Sequence, residues 1–154
     1  MRMKPILNVL GALLTLLGIT MIVPILISYF SAGSDLIGLV KSSILCIFIG
    51  FPLWLFTKHK KSLNNKIGFA IVTLSWVTAA FAGSLPFYLT GAIPNFTDAF
   101  FEAMSGVTTT GATILGNPVT LTNLPNGIES LPKGVLFWRS FIQWVGGMGI
   151  IVFY

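Results

Sequence analysis

Apolar residues run from Ile6 to Phe30 without a single charge, a stretch of about 25 residues that as a helix would rise about 37 Å and cross a bilayer with some tilt. Pro24 marks the place for a kink in it. Ser31-Ala32-Gly33-Ser34-Asp35 reads as a short turn, and a second span follows over Leu36 to Phe56, so that residues 1–57 form a transmembrane hairpin. A third span is expected over 67–89, with Pro86 and Gly91 near its exit. The pattern then changes. Ile93-Pro94-Asn95-Phe96-Thr97 interrupts it, and a short amphipathic helix is expected over 97–105, with Thr97 as its N-cap and Asp98 in its first turn. At about 10 residues that helix reaches only about 15 Å, half the hydrocarbon core, so it must be buried or re-entrant. A glycine- and threonine-rich loop occupies 106–116. Residues 117–133, with Pro118, Pro125, Asn126-Gly127 and Pro132, are turn-rich and extracellular. A last apolar helix over 134–154 carries Trp138, Arg139, Trp144 and Gly146-Gly147-Met148-Gly149. It stops without the basic or interfacial residues that usually close a span, and the chain is therefore expected to be truncated or an excised fragment.

Composition agrees with a membrane protein: 55% of residues are hydrophobic and 8% charged, against roughly 25% charged in a soluble domain, and mean hydropathy is +0.90. The net charge of +5 does not imply nucleic acid, because the basic residues flank apolar runs instead of sharing a polar face. Lys58, Lys60, Lys61 and Lys66 crowd the loop over 58–66 without an acid, which assigns that loop to the cytoplasm; Arg2 and Lys4 put the N-terminus on the same side. The N-terminal apolar run is too long for a signal peptide and lacks its cleavage site. Lys41, near the outer end of the second span, reads as a snorkelling side chain, with an ion-pathway role as the other possibility. His59 is a bystander in a solvated loop. Cys46, the single cysteine, faces lipid or fills packing, so neither a disulfide nor a metal cluster is expected, and no cofactor.

Candidate chemistry lies in Thr108-Thr109-Thr110-Gly111-Ala112-Thr113. Irregular backbone at membrane depth is tolerated only where it lines protein or a water-filled cavity, so this loop has to line something. The short helix before it aims its partial negative charge inward, toward a cation. Gly111 permits torsions that turn successive carbonyls to one axis, and oxygen ligands suit hard cations such as K⁺ and Na⁺. By itself a polar loop with a glycine says little; the half-length helix before it and the glycine-rich helix after it give it the layout of a pore. Arg139 either pairs with Glu102 or Asp98 to hold the pore helix, or snorkels outward. Gly146, Gly147 and Gly149 are either a flexible point or a close-packing surface. No zinc-protease or nucleophile-elbow motif and no paired catalytic acids occur, so an enzyme is not expected.

The run from Thr97 to Thr113, together with Trp138-Arg139-Ser140-Phe141-Ile142-Gln143-Trp144-Val145-Gly146-Gly147-Met148-Gly149-Ile150-Ile151, resembles the first repeat of the Trk/Ktr/HKT superfamily of potassium transporters. The N-terminal hairpin resembles the Trk type. The resemblance implies an all-α membrane protein, this hairpin followed by one membrane-helix, pore-helix, membrane-helix repeat of the four that surround a potassium-channel-like pore. It implies potassium uptake across the bacterial inner membrane, K⁺ bound at filter carbonyls of residues 108–113, and Thr109-Thr110-Gly111 in the place of a channel's Thr-Val-Gly. Serine at the position of Gly111 accompanies sodium preference in plant members, glycine potassium preference. Implied partners are the remaining pore repeats, a second copy as homodimer, a cytosolic nucleotide-binding regulatory subunit and the lipid bilayer. One filter loop cannot close a fourfold site, so conduction needs the other repeats or tetramerisation of this chain; otherwise it is a non-conducting remnant or scaffold.

Overall fold

A computed structural model describes residues 3–57, 65–115 and 127–153; its regular elements are helices joined by turns and loops, and the described residues contain no strand. The basic-loop positions Lys58 to Lys61 and most of the segment expected to be extracellular lie outside those residues. The helices are α1 (Met3–Thr20), α2 (Ile22–Phe30), α3 (Leu36–Phe56), α4 (Asn65–Leu89), α5 (Phe96–Val107) and α6 (Lys133–Phe153), with a 3₁₀ turn at Gly127–Ser130 before α6. Among the described residues, three helical stretches are long and apolar enough to cross a membrane: Met3–Phe30, Leu36–Phe56 and Asn65–Leu89.

The stretch expected as one first span is divided at Met21. Pro24 is the cause. It has no N–H to give the carbonyl of Thr20 four residues earlier, while the bonds on either side, Met21 N–H to Leu17 O at 3.2 Å and Ile25 N–H to Met21 O at 3.1 Å, are kept. Glycines bring α1 and α3 into backbone contact: a Cβ on Gly11 would stand 2.5 Å from the nitrogen of Trp54, and one on Gly50 would stand 2.6 Å from that of Thr15. Ser43 adds a hydrogen bond from its hydroxyl to Gly18 O at 2.7 Å. Cys46 is buried in this packing, and Lys41 is exposed on α3.

A buried core lies where α4, α5 and α6 meet. Trp138 is fully buried and donates its indole N–H to Gly83 O at 3.0 Å, while Phe87, Ala99, Ala103 and Ile142 close around it. Large apolar side chains on the outer helices, among them Leu16, Phe30, Phe48, Phe56 and Phe69, are exposed. A soluble domain of this size would rarely leave so broad an apolar surface open.

Candidate functional site

The short helix that carries the candidate loop is α5. It is 12 residues long, about 18 Å, still well below a bilayer core. Its N-cap is Asn95, not the Thr97 expected from sequence: Asn95 has extended backbone torsions and its side-chain oxygen accepts the N–H of Thr97 at 3.0 Å. Asp98 sits in the first turn, where a carboxylate favours the helix dipole. At the other end Gly106 and Val107, expected in the loop, belong to the helix. The N–H of Thr109 bonds Gly106 O and that of Thr110 bonds Ser105 O, each at 3.0 Å. These are the two bonds of a Schellman termination, and they force Thr109 into the left-handed region at φ +57°. Glycine normally holds that position; a β-branched residue there stores about 1–2 kcal/mol of strain. Gly111 is also left-handed, at φ +77°, and a Cβ on it would meet nothing within 4 Å, so torsion and not space calls for glycine.

The depth of this turn follows from its contact with α6. A Cβ on Gly146 would lie 1.9 Å from the carbonyl oxygen of Val107, so the two backbones touch there. Gly146 stands 13 residues past Lys133, about 20 Å along α6 from its first residue. If α6 crosses the bilayer, the carbonyl end of α5 is well inside it.

Behind the loop a buried carboxylate organises the chain. Glu102, 2% exposed, accepts from Arg139 Nε at 2.6 Å, from the Thr113 hydroxyl at 3.0 Å to each oxygen, and from the N–H of Ile114 at 3.2 Å. Of the two acids considered for Arg139, the structure pairs it with Glu102; Asp98 makes no ion pair among the described residues. The Ser105 hydroxyl donates to Ala112 O at 2.6 Å, and the Thr108 hydroxyl donates to Met104 O at 2.7 Å while lying 2.9 Å from that of Thr110. Thr110, Gly111, Ala112 and Thr113 are nevertheless exposed. Among the described residues nothing donates to the backbone oxygens of Thr109, Thr110 or Gly111. The adjacent carbonyls from Thr108 to Gly111 thus have no donor among the described residues, up to the fastened carbonyl of Ala112.

Sequence reasoning placed Thr108 to Thr113, Glu102 and Arg139 in one neighbourhood, and the structure brings them together. It passed over Ser105, which holds Ala112 from seven residues away, and no short-range pattern announces that contact. Asn95 was detectable, since asparagine is among the favoured N-cap residues and stands directly before the helix. For Gly146 the close-packing alternative describes the geometry, whereas a Cβ on Gly149 would meet nothing.

Residues 38–154 match the family described as "TrkH: Cation transport protein". Over 99% of its length the chain is 39% identical to the Trk system potassium uptake protein TrkH of Vibrio parahaemolyticus and 40% identical to that of Halomonas elongata. The crystal structure of the potassium transporter TrkH from Vibrio parahaemolyticus superposes with a TM-score of 0.84, covering 99% of this chain and 31% of that one. The chain spans 30% of the length of these curated relatives.

Proposed function

Because the chain belongs to the TrkH family of cation transport proteins, we propose that it supplies one of four filter loops in the ion-conducting subunit of a potassium uptake system. The single observation that carries this reading is the row of unpartnered carbonyls at Thr109, Thr110 and Gly111, set after the negative end of a half-length helix. Such oxygens replace the hydration shell of a K⁺ ion entering the site, and the ion is the cargo, not a resident cofactor. Thr108 and Thr113 flank the row with their hydroxyls turned to the protein, and Ala112 has its carbonyl held by Ser105, so these three set the spacing of the strand. Glu102 and Arg139 support it from behind.

The positive-inside rule places the N-terminus and the basic loop over 58–66 in the cytoplasm of a bacterial inner membrane. The other three filter strands come from the remaining repeats of the transporter; a second copy and a cytosolic nucleotide-binding subunit are its partners by family likeness. Replacing Gly111 by serine in the transporter that carries this segment tests the reading. The side chain has room but the φ of +77° strains it, so the carbonyls turn from the axis. Potassium-over-sodium preference in uptake is expected to fall about tenfold or more, a change of about 1.4 kcal/mol in relative site energy. An unchanged permeability ratio would overturn the register.

A further inference from the structure

We propose that Asp35 is a positioning residue for the filter, holding the first turn of α6 where Arg139 can grip Glu102. The inference rests on the filter reading above.

Asp35 lies in the turn between α2 and α3 and is 1% exposed. Its main-chain carbonyl starts α3 by accepting from Leu39 N–H at 3.0 Å, yet its side chain makes no cap bond to that helix. The carboxylate instead reaches across the fold. Oδ1 accepts the Ser28 hydroxyl at 2.5 Å, and Oδ2 accepts the N–H of Val135, 100 residues away, at 2.9 Å. The first N–H groups of α6 have no partner within their own helix, and a carboxylate there favours its dipole. Gly134 admits the contact: a Cβ on it would fall 2.6 Å from Asp35 Oδ2 and 2.9 Å from Pro24 O.

A buried charge is expensive, and an uncharged polar cap at the start of α3 would serve the hairpin alone. The position of the carboxylate makes sense through its distant partner. Val135 and Arg139 are four residues apart, one turn on one face of α6. Asp35 holds the first of those turns and Glu102 the second, at 2.6 Å from Arg139. The N-terminal hairpin is thereby connected to the loop through a single helix turn. If α6 shifts at Val135, Arg139 shifts with it and the support under Thr113 and Ile114 changes.

The test uses the full transporter that carries this segment, with potassium and sodium uptake measured per transporter molecule in the membrane. Asp35→Ala is expected to lower potassium-over-sodium preference about tenfold, and Asp35→Asn, which keeps an acceptor but not the charge, about two- to threefold. In a Glu102→Gln background the Asp35→Ala loss shrinks, because both act through Arg139. A merely structural Asp35 would lower the amount of transporter and leave the preference of each molecule unchanged, and that result overturns the proposal. Should Asp35→Ala fail to accumulate, Asp35→Asn decides: wild-type preference at normal abundance overturns it. Glu102→Gln and Gly111→Ser serve as controls. If they lower the preference while the Asp35 variants do not, only the present inference fails; if they too leave it unchanged, the filter reading fails.

Discussion

At the scale of single residues, Thr109 is a β-branched residue held in left-handed torsions. Its left-handed torsions follow from the two hydrogen bonds that end α5, and its side chain gains no hydrogen bond in return. Thr109→Gly relieves that strain, and thermal unfolding in detergent is expected to shift upward by a net stabilisation of about 1 kcal/mol. A fall in the midpoint would mean that the threonine methyl, 3.7 Å from the Cβ position of Gly147, contributes more packing than the torsion costs. The pair of Glu102 and Arg139 also has a residue-level lesson. Exchanging the two charges restores an ion pair but leaves Thr113 and Ile114 without an acceptor, so a charge swap is a poor measure of the pairing. Which residues gather at the loop was legible from spacing and charge. Their hydrogen-bond partners were not, because Ser105 to Ala112 and Thr113 to Glu102 depend on the path of a turn whose left-handed residue is a threonine.

Among the elements, α6 bears the closest constraints. A Cβ at position 146 overlaps the backbone of Val107, which has no flexible end to move aside, whereas position 149 is open. Gly146→Ala is therefore expected to destabilise the protein by about 2 kcal/mol or more and, on the proposed function, to lower uptake by the transporter that carries this segment. Gly149→Ala, gaining helix propensity, is neutral or stabilising by up to about 1 kcal/mol. Unfolding midpoints and uptake rates of the two variants check the contrast; equal effects would show that the glycines act as a flexible unit. Hydropathy was enough to find the long helices, since lipid-length apolar runs have few other readings. It could not place the division at Met21, which depends on one missing N–H, nor extend α5 through Gly106 and Val107, since a glycine near a helix end reads as its boundary.

On the scale of the whole molecule, apolar side chains are distributed in two populations with different jobs. Trp138 and its neighbours form a packed core between α4, α5 and α6, while Phe48 and Phe69 stand on the outside, 75% and 77% exposed. Exposed apolar groups are at no disadvantage in lipid. Phe48→Leu is expected to leave stability within about 0.5 kcal/mol, and Trp138→Ala to remove about 3–5 kcal/mol through the cavity and the lost bond to Gly83. Comparable losses at the two sites, measured by unfolding in detergent, would mean that Phe48 is covered by protein in the assembled transporter.

The two buried carboxylates also set a timetable for synthesis. At about 5–20 residues per second, Glu102 waits about 2–7 s after translation for Arg139, 37 residues later, and Asp35 about 5–20 s for Val135, 100 residues later. Until α6 arrives, each carboxylate lacks the partner that justifies its burial, and the loop between Thr108 and Thr113 lacks the support behind it. In that interval Asp35 has the Ser28 hydroxyl, and Glu102 has the Thr113 hydroxyl and the N–H of Ile114, as their partners. Because Val135 and Arg139 both lie on α6, this one helix supplies the last partner of each acid.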